Sequence, residues 1–467
     1  MNIPQGLLPF QLIQDSSKIL VTSFGGIPLV METFRALGLV QSIQKHLPIL
    51  QRQGKYREAD YVESFVSLFA AGGDCVDDLE ILRADKGLKK LGLRVSSPEA
   101  ARVFLNAFHQ EQGLEGRVSH QAFIPEETEL LEGLGAVQKE LIGKATREVP
   151  SWKVTIDLDA TVIESQKREA CWTYLGEKGY QPVLAYWAEQ DLIVADQFRD
   201  GNVPAGMELI PVLQEAIGAL PKTVRLVRVR SDSAAYVHEF LNWCRKEVPG
   251  RPRIEFAISA DMTEELRAAV QALPEEAWRP LRKVTDKGLI VSRKEWAEVE
   301  FIPSQPSRKK RMQPDRYLAI RIRPAQGELF GDGNPYHYFG VVTNMWGWGG
   351  ERLLQWQRER CGTVEKVLDV LKNDLAAGVM PAKRFFTNAA WWRLNVITYN
   401  VLSVMKRKAL PSPWWSVRLK ALRFRLLCLS ARVIEHGRKL FLRIANHHPS
   451  FLLYKEAREK LLSFSSA

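Results

Sequence analysis

The chain has 467 residues, 46% of them hydrophobic and 25% charged, which is ample for a packed core in two or three domains and rules out a disordered chain. No apolar run is long enough to span a bilayer, and the N-terminus lacks a basic stretch followed by an apolar block and a small-residue cleavage site, so a cytoplasmic protein without a membrane partner is expected. The five cysteines include no Cys-x-x-Cys pair, which argues against a zinc site or a disulfide framework, and the net charge of +11 points to an anionic partner.

Residues 1–150 read as a helical region with possible DNA-binding ability. Val62, Phe65, Val66 and Phe69 share one helical stripe that Gly72-Gly73 ends. Ser97 before Pro98 is an N-cap, opening a helix with Ala101, Phe104, Leu105 and Phe108 on one face. Packing accounts for these stripes as well as DNA binding does.

From residue 151 the pattern changes. In Trp152 to Ile163, Val154, Ile156 and Leu158 alternate with Thr155, Asp157 and Asp159, the period of a strand with one apolar and one carboxylate face. Carboxylates held two residues apart on a rigid strand suit Mg2+ or Mn2+, although a strand end with solvated aspartates would read the same way. Short strands follow at Cys171–Tyr174, Leu184–Trp187 and Leu192–Ala195. A helix then spans about Met207 to Leu220, a strand Val224 to Val229 ends in Arg230-Ser231-Asp232, a helix covers Tyr236 to Lys246, and another strand and helix run to Leu273. Meandering strands followed by alternating helices and strands is the order of an RNase H-like core. Asp232, 73 residues past Asp159, falls just after the strand Val224 to Val229 that follows the first helix, where that fold carries its second catalytic aspartate.

Residues 278–345 alternate and are rich in Pro and Gly, which predicts a β-rich insertion with strands at Gly288–Val291, Val299–Ile302, Tyr317–Ile322 and Tyr338–Val342. Within it, Arg308-Lys309-Lys310-Arg311 reads as an exposed loop and Gly331-Asp332-Gly333-Asn334 as a hairpin turn. The core resumes over 346–400 with a helix from Glu351 to about Ala377, in which Glu365, Asp369 and Lys372 share a face opposite Val364, Val367, Leu368 and Leu371. The last region, 401–467, reads as basic and helical. From Trp391 onward there are 15 Lys or Arg against three acids, an excess of 12 that exceeds the net charge of the whole chain. Arg393, Lys406, Arg407 and Lys408, laced with Trp391, Trp392, Trp414 and Trp415, suit a phosphate backbone, and equally a basic helix pair with solvated charges.

Two families use the central string. Asp157-x-Asp159-x-Thr161 resembles the nucleophile motif of haloacid-dehalogenase-type phosphohydrolases, which would make Asp157 the attacking group. Asp159-Ala160-Thr161 instead resembles the first metal-binding aspartate of RNase H-like DDE recombinases. Together with Gly179-Tyr180-Gln181-Pro182, Arg199-Asp200-Gly201-Asn202, Arg230-Ser231-Asp232-Ser233 and Gly362-Thr363-Val364-Glu365 with Lys372, it resembles the bacterial insertion-sequence DDE transposases. The likeness is greatest to the insertion-sequence thirteen-eighty group, over about Tyr61 to Tyr399.

The resemblance implies a catalytic triad of Asp159, Asp232 and Glu365 holding two Mg2+ or Mn2+ ions roughly 4 Å apart, with Asp157 and Lys372 as auxiliary groups. It implies strand cleavage at transposon terminal inverted repeats, strand transfer into target DNA, and a homo-oligomer that pairs two ends in a bacterial cytoplasm, associated with the nucleoid. Related transposases place Tyr seven and Arg four residues before the glutamate, where this chain has Arg358 and Cys361; Arg358 and Arg360 are then the nearby cations for DNA. A DNA-binding relative without turnover is a third possibility.

Overall fold

A computed structural model describes residues 19–49, 54–118, 121–285, 288–303, 315–322 and 336–466. The strands in chain order are β1 (Leu20–Thr22), β2 (Lys153–Ala160), β3 (Ile163–Glu164), β4 (Cys171–Trp172), β5 (Lys178–Tyr180), β6 (Val183–Trp187), β7 (Leu192–Gln197), β8 (Leu226–Ser231), β9 (Arg253–Ala260), β10 (Arg279–Thr285), β11 (Gly288–Phe301), β12 (Asp315–Ile322), β13 (His337–Thr343), β14 (Ala431–His436) and β15 (Lys439–Ile444).

Nine of them form one mixed sheet in the order β10-β11-β12-β13-β9-β8-β2-β6-β7. Strands β2, β6 and β7 are antiparallel, while β8 and β9 run parallel to β2. Helices Leu209–Ala219 and His238–Arg245 provide the crossovers that parallel pairing requires. This is the RNase H-like arrangement, with β2 at its centre because Val154, Ile156 and Leu158 bury one face completely. The β-rich insertion is present, and it continues the same sheet: β13 pairs antiparallel with β9, so the insertion strands extend the core edge.

The helix Phe385–Ala409 is buried on nearly every side, with Trp391 and Trp392 fully enclosed. It lies against the β7 edge, where the Asn400 side chain accepts from Ile193 N–H at 2.8 Å and donates to Ile193 C=O at 2.8 Å, closing an otherwise open strand edge. N-terminal helices pack on this helix too, including Glu58–Ala71, which ends at Gly72 with φ +107°, and Pro98–Asn106, capped by Ser97. One hydrophobic core consequently runs from Ile27 to Leu461.

Several elements differ from the sequence expectation. Cys171–Trp172 leaves the main meander and joins a small sheet, β3-β5-β4. Gly288–Val291 and Val299–Phe301 fall in one long strand, β11, which pairs with β10 over its first part and with β12 from Lys294 to Phe301. The single helix expected from Glu351 is broken into Gly350–Arg358, a 3-10 turn Glu359–Gly362, and Val364–Asp369 followed by a π turn Val370–Asp374. The C-terminal region is not wholly helical, because β14 and β15 form a hairpin that pairs with β1. Arg308–Arg311 and Gly331–Asn334 lie outside the described residues. Among the described residues no helix is long and apolar enough to cross a membrane.

Candidate active site

The pairing of β2 with β8 builds the site. In this parallel register Asp157 faces Arg230 and Leu158 faces Ser231, so the next residues along, Asp159 and Asp232, emerge together at the same strand ends. Adjacent strands lie about 4.8 Å apart, which makes these two carboxylates neighbours although 73 residues separate them in sequence. Asp232 Oδ1 also accepts from Ala234 N–H at 3.1 Å, capping the turn that follows β8.

Glu365, on the first turn of Val364–Asp369, completes one face of an open cleft of about 360 Å³ that is lined by Asp159, Thr161, Asp232, Arg360, Glu365 and Lys372. Asp159 is only 10% exposed. Burial pushes its carboxyl up to about 7; the Arg360 guanidinium opposes that rise, while Asp232 and Glu365 add to it. Arg360 Nη1 donates to Asp159 Oδ2 at 2.7 Å, and the buried Arg360 Nε has no hydrogen-bond partner among the described residues. Lys372 Nζ donates to Val162 C=O at 3.0 Å and to Thr161 Oγ1 at 3.3 Å, which holds its charge at the cleft edge.

The layer beneath is closed. Asp157 is 0% exposed, and Arg230 clasps it through Nε at 2.6 Å and Nη2 at 2.9 Å. Arg230 also donates to Trp356 C=O at 2.7 Å. The Thr363 hydroxyl donates to Asp157 Oδ2 at 2.8 Å, so this buried carboxylate fixes the start of the helix that carries Glu365. Asp157 cannot be the nucleophile of a phosphohydrolase, because no substrate reaches it. Arg230 and Thr363 are the contacts of Asp157 beneath the cleft that the sequence alone did not assign. The signal was present: Asp157-x-Asp159 and Arg230-x-Asp232 have the same spacing, as two parallel strands in register require.

Three hard-oxygen donors of like charge converging on one cleft, one of them held up near 7, fit a divalent cation better than any organic cofactor. The ligand atoms of the triad are not all within 4.8 Å of one another. Among the described residues only Asp74, Cys75 and Asp78 meet that distance. There Asp78 Oδ2 is already accepting from the Asp74 and Cys75 N–H groups as a helix-start cap.

Other residues singled out from the sequence lie elsewhere. Arg393 is 3% exposed inside the core, bonded to Glu127 at 2.6 Å and Asp196 at 3.2 Å, and is withdrawn as a DNA contact. Lys406 lies 3.7 Å from Asp191, Arg407 donates to Glu189 C=O and stacks over Trp415, and Lys408 sits over the Phe464 ring. Each of the three already has a partner. Arg358 is exposed but outside the cleft lining. The Gly179–Pro182 and Arg199–Asn202 motifs are structural: Tyr180 bridges to Asp200, and Asp200 is paired with Arg117 at 2.5 Å. A Cβ on Gly201 would sit 2.6 Å from Gly179 C=O, so only glycine permits this close approach.

The family described as Transposase DDE domain group 1 matches residues 18–466. No curated protein matches the sequence. Among solved structures, a cryo-EM structure of a piggyBac transposase synaptic complex with hairpin DNA is similar at 10% identity and a TM-score of 0.44, over 95% of this chain and 79% of that one.

Proposed function

The chain belongs to the transposase DDE domain family of group 1, and from that premise we propose that it is a Mg2+- or Mn2+-dependent enzyme that cuts DNA at transposon terminal inverted repeats and joins the freed 3′ ends to target DNA. Its catalytic carboxylates in this reading are Asp159, Asp232 and Glu365. The observation that carries it is the β2/β8 register, which delivers Asp159 and Asp232 to the cleft that Glu365 also lines. Two divalent ions held by these carboxylates would supply Lewis-acid stabilisation of the phosphodiester and an activated water at neutral pH.

The remaining work belongs to the chain's own side chains. Asp157 and Thr363 orient the Glu365 helix from below. Arg360 offsets the burial of Asp159 and keeps its carboxylate form accessible near neutral pH. Arg360, which donates to Asp159, and Lys372, held by Thr161 and Val162, are the two cations lining the cleft that would meet a DNA phosphate there. The finer reading is a bacterial enzyme of the insertion-sequence thirteen-eighty group, acting in the cytoplasm on nucleoid DNA as a homo-oligomer that pairs two ends.

The test is strand cleavage with Mg2+ on DNA carrying the element's own ends, with and without chelator. Cleavage that needs the metal and disappears in Asp159→Asn and Glu365→Gln is expected. Retained duplex binding without any cleavage by the parent protein would establish a DNA-binding relative lacking turnover.

A further inference from the structure

Outside the cleft, β1, β14 and β15 form a third sheet, β1-β14-β15, and its register sorts the side chains onto two faces. Arg432 stands directly opposite Arg443, Ile434 opposite Phe441 and His436 opposite Lys439, with Val21 of β1 beside Arg432. Alternation along a strand puts these on one face and Val433, Glu435, Leu440 and Leu442 on the other. Glu435 is held there by Lys90 at 2.7 Å. The first face therefore carries two arginines, a lysine and a histidine without a carboxylate, and Arg438 stands at the turn between the strands with φ +60°.

All five of these basic side chains are exposed, and among the described residues none of the four Lys and Arg has an ion-pair partner. Like charges directly opposite on an antiparallel pair repel and cost stability unless an anion neutralises them. The contrast with other cations of the basic C-terminal stretch is sharp: Arg418 is paired with Asp374, Lys406 with Asp191 and Arg458 with Glu32. Unspent positive charge gathers on the hairpin.

From the cross-strand Arg432–Arg443 pair on a carboxylate-free face we infer that the β14–β15 hairpin binds the phosphate backbone of duplex DNA, at a surface separate from the cleft. Charge complementarity identifies a polyanion. The choice of DNA rests on the transposase reading. Two neighbouring guanidinium forks match phosphate oxygens, and such contacts fix position and orientation while leaving base sequence unread.

The experiment measures the affinity of the full chain for a generic duplex against salt. Arg432→Ala with Arg443→Ala removes up to two phosphate contacts and makes the slope of log K against log[salt] shallower by about 2 units, at about 0.9 per phosphate. Arg432→Lys with Arg443→Lys retains the charge and the parent slope. If the double alanine variant fails to fold, Arg438→Gln with Lys439→Gln at the exposed turn decides by the same reading. An unchanged slope with intact folding overturns the inference. So does a loss of binding to phosphatidylserine vesicles with duplex binding unaffected, which would assign the face to a membrane surface. Cleavage of the element's ends is followed in parallel: its absence in the parent protein counts against the transposase reading, and the duplex slope alone decides the hairpin.

Discussion

Two positions on the same strand each set an aspartate against an arginine and end with different properties. In the inner layer Asp157 and Arg230 are 0% and 2% exposed and meet through two parallel hydrogen bonds, with Thr363 adding a third donor to the carboxylate. In the outer layer, one pleat along, Asp159 meets Arg360 through a single bond, beside an open cleft and two further acids. The inner pair is geometrically complete: it holds the fold together and, through Thr363, steadies the helix that carries Glu365. The outer carboxylate is held up to about 7 by burial and by Asp232 and Glu365, so it is left with an unmet demand for positive charge that a divalent ion can satisfy. Position along a strand, and not residue type, separates architecture from chemistry.

The largest expected difference is in turnover. Asp159→Asn and Asp232→Asn are expected to bring metal-dependent strand cleavage down to background while circular dichroism remains that of the parent. A variant Asp157→Asn with abolished cleavage and parental stability, alongside an active Asp159→Asn, would reverse the assignment of the two layers. Asp157→Asn should instead act on the fold. It removes the buried charge that faces Arg230, leaving the more exposed Glu359 at 3.2 Å as the acid beside it, and should cost up to about 3–5 kcal/mol, read from denaturant unfolding.

A smaller effect connects the layers. Thr363→Val removes the hydroxyl that ties Asp157 to the Glu365 helix, and is expected to lower cleavage about 10- to 100-fold, as loss of a ligand-orienting contact does, while costing only about 1 kcal/mol of stability. Equal losses in both measurements would reduce this contact to a packing role.

The pH dependence of stability tests the outer layer. The folded-state carboxyl of Asp159 titrates at about 7, above its ordinary value of 3.8, so the folded protein binds that proton more tightly than the unfolded chain. Its ionisation therefore removes stability as pH rises from about 4 through 7. Asp159→Asn should melt higher than the parent at pH 8 and close to it at pH 4, in cation-free buffer. A variant with a lower melting temperature at pH 8 would mean that the Arg360 contact outweighs the burial.

The smallest expected effect is a near absence. Neutralising Lys406, Arg407 and Lys408 together should leave the salt slope of duplex binding nearly unchanged, because their partners are Asp191, the Glu189 carbonyl with the Trp415 ring, and the Phe464 ring. A slope shallower by about 3 units would return DNA contact to this segment.

Much of the site was legible in the chain itself. Strict alternation around Asp157 and Asp159 identified the central strand, because a half-buried strand has a period of two residues. The spacing of Val364, Val367, Leu368 and Leu371 put Glu365 on a helix with Lys372, since 3.6 residues per turn fixes which side chains share a face. Charge was a weaker guide. Arg393, which it suggests as a DNA contact, is buried against Glu127 and Asp196, while Lys406 to Lys408 already contact Asp191, the Glu189 carbonyl and aromatic rings.

Periodicity and spacing are local, so the sequence alone determined the central strand, most of the crossover helices and the candidate carboxylates. Which aspartate faces the cleft, where the helix after Gly350 breaks, and which cations remain unpaired depend on partners 70 to more than 200 residues away, such as Arg230 for Asp157 and Arg360 for Asp159. Those contacts exist only once β2 and β8 are in register and the long buried helix has closed over β7. Only the tertiary structure could decide them, because burial and pairing belong to the packed chain and have no period along it.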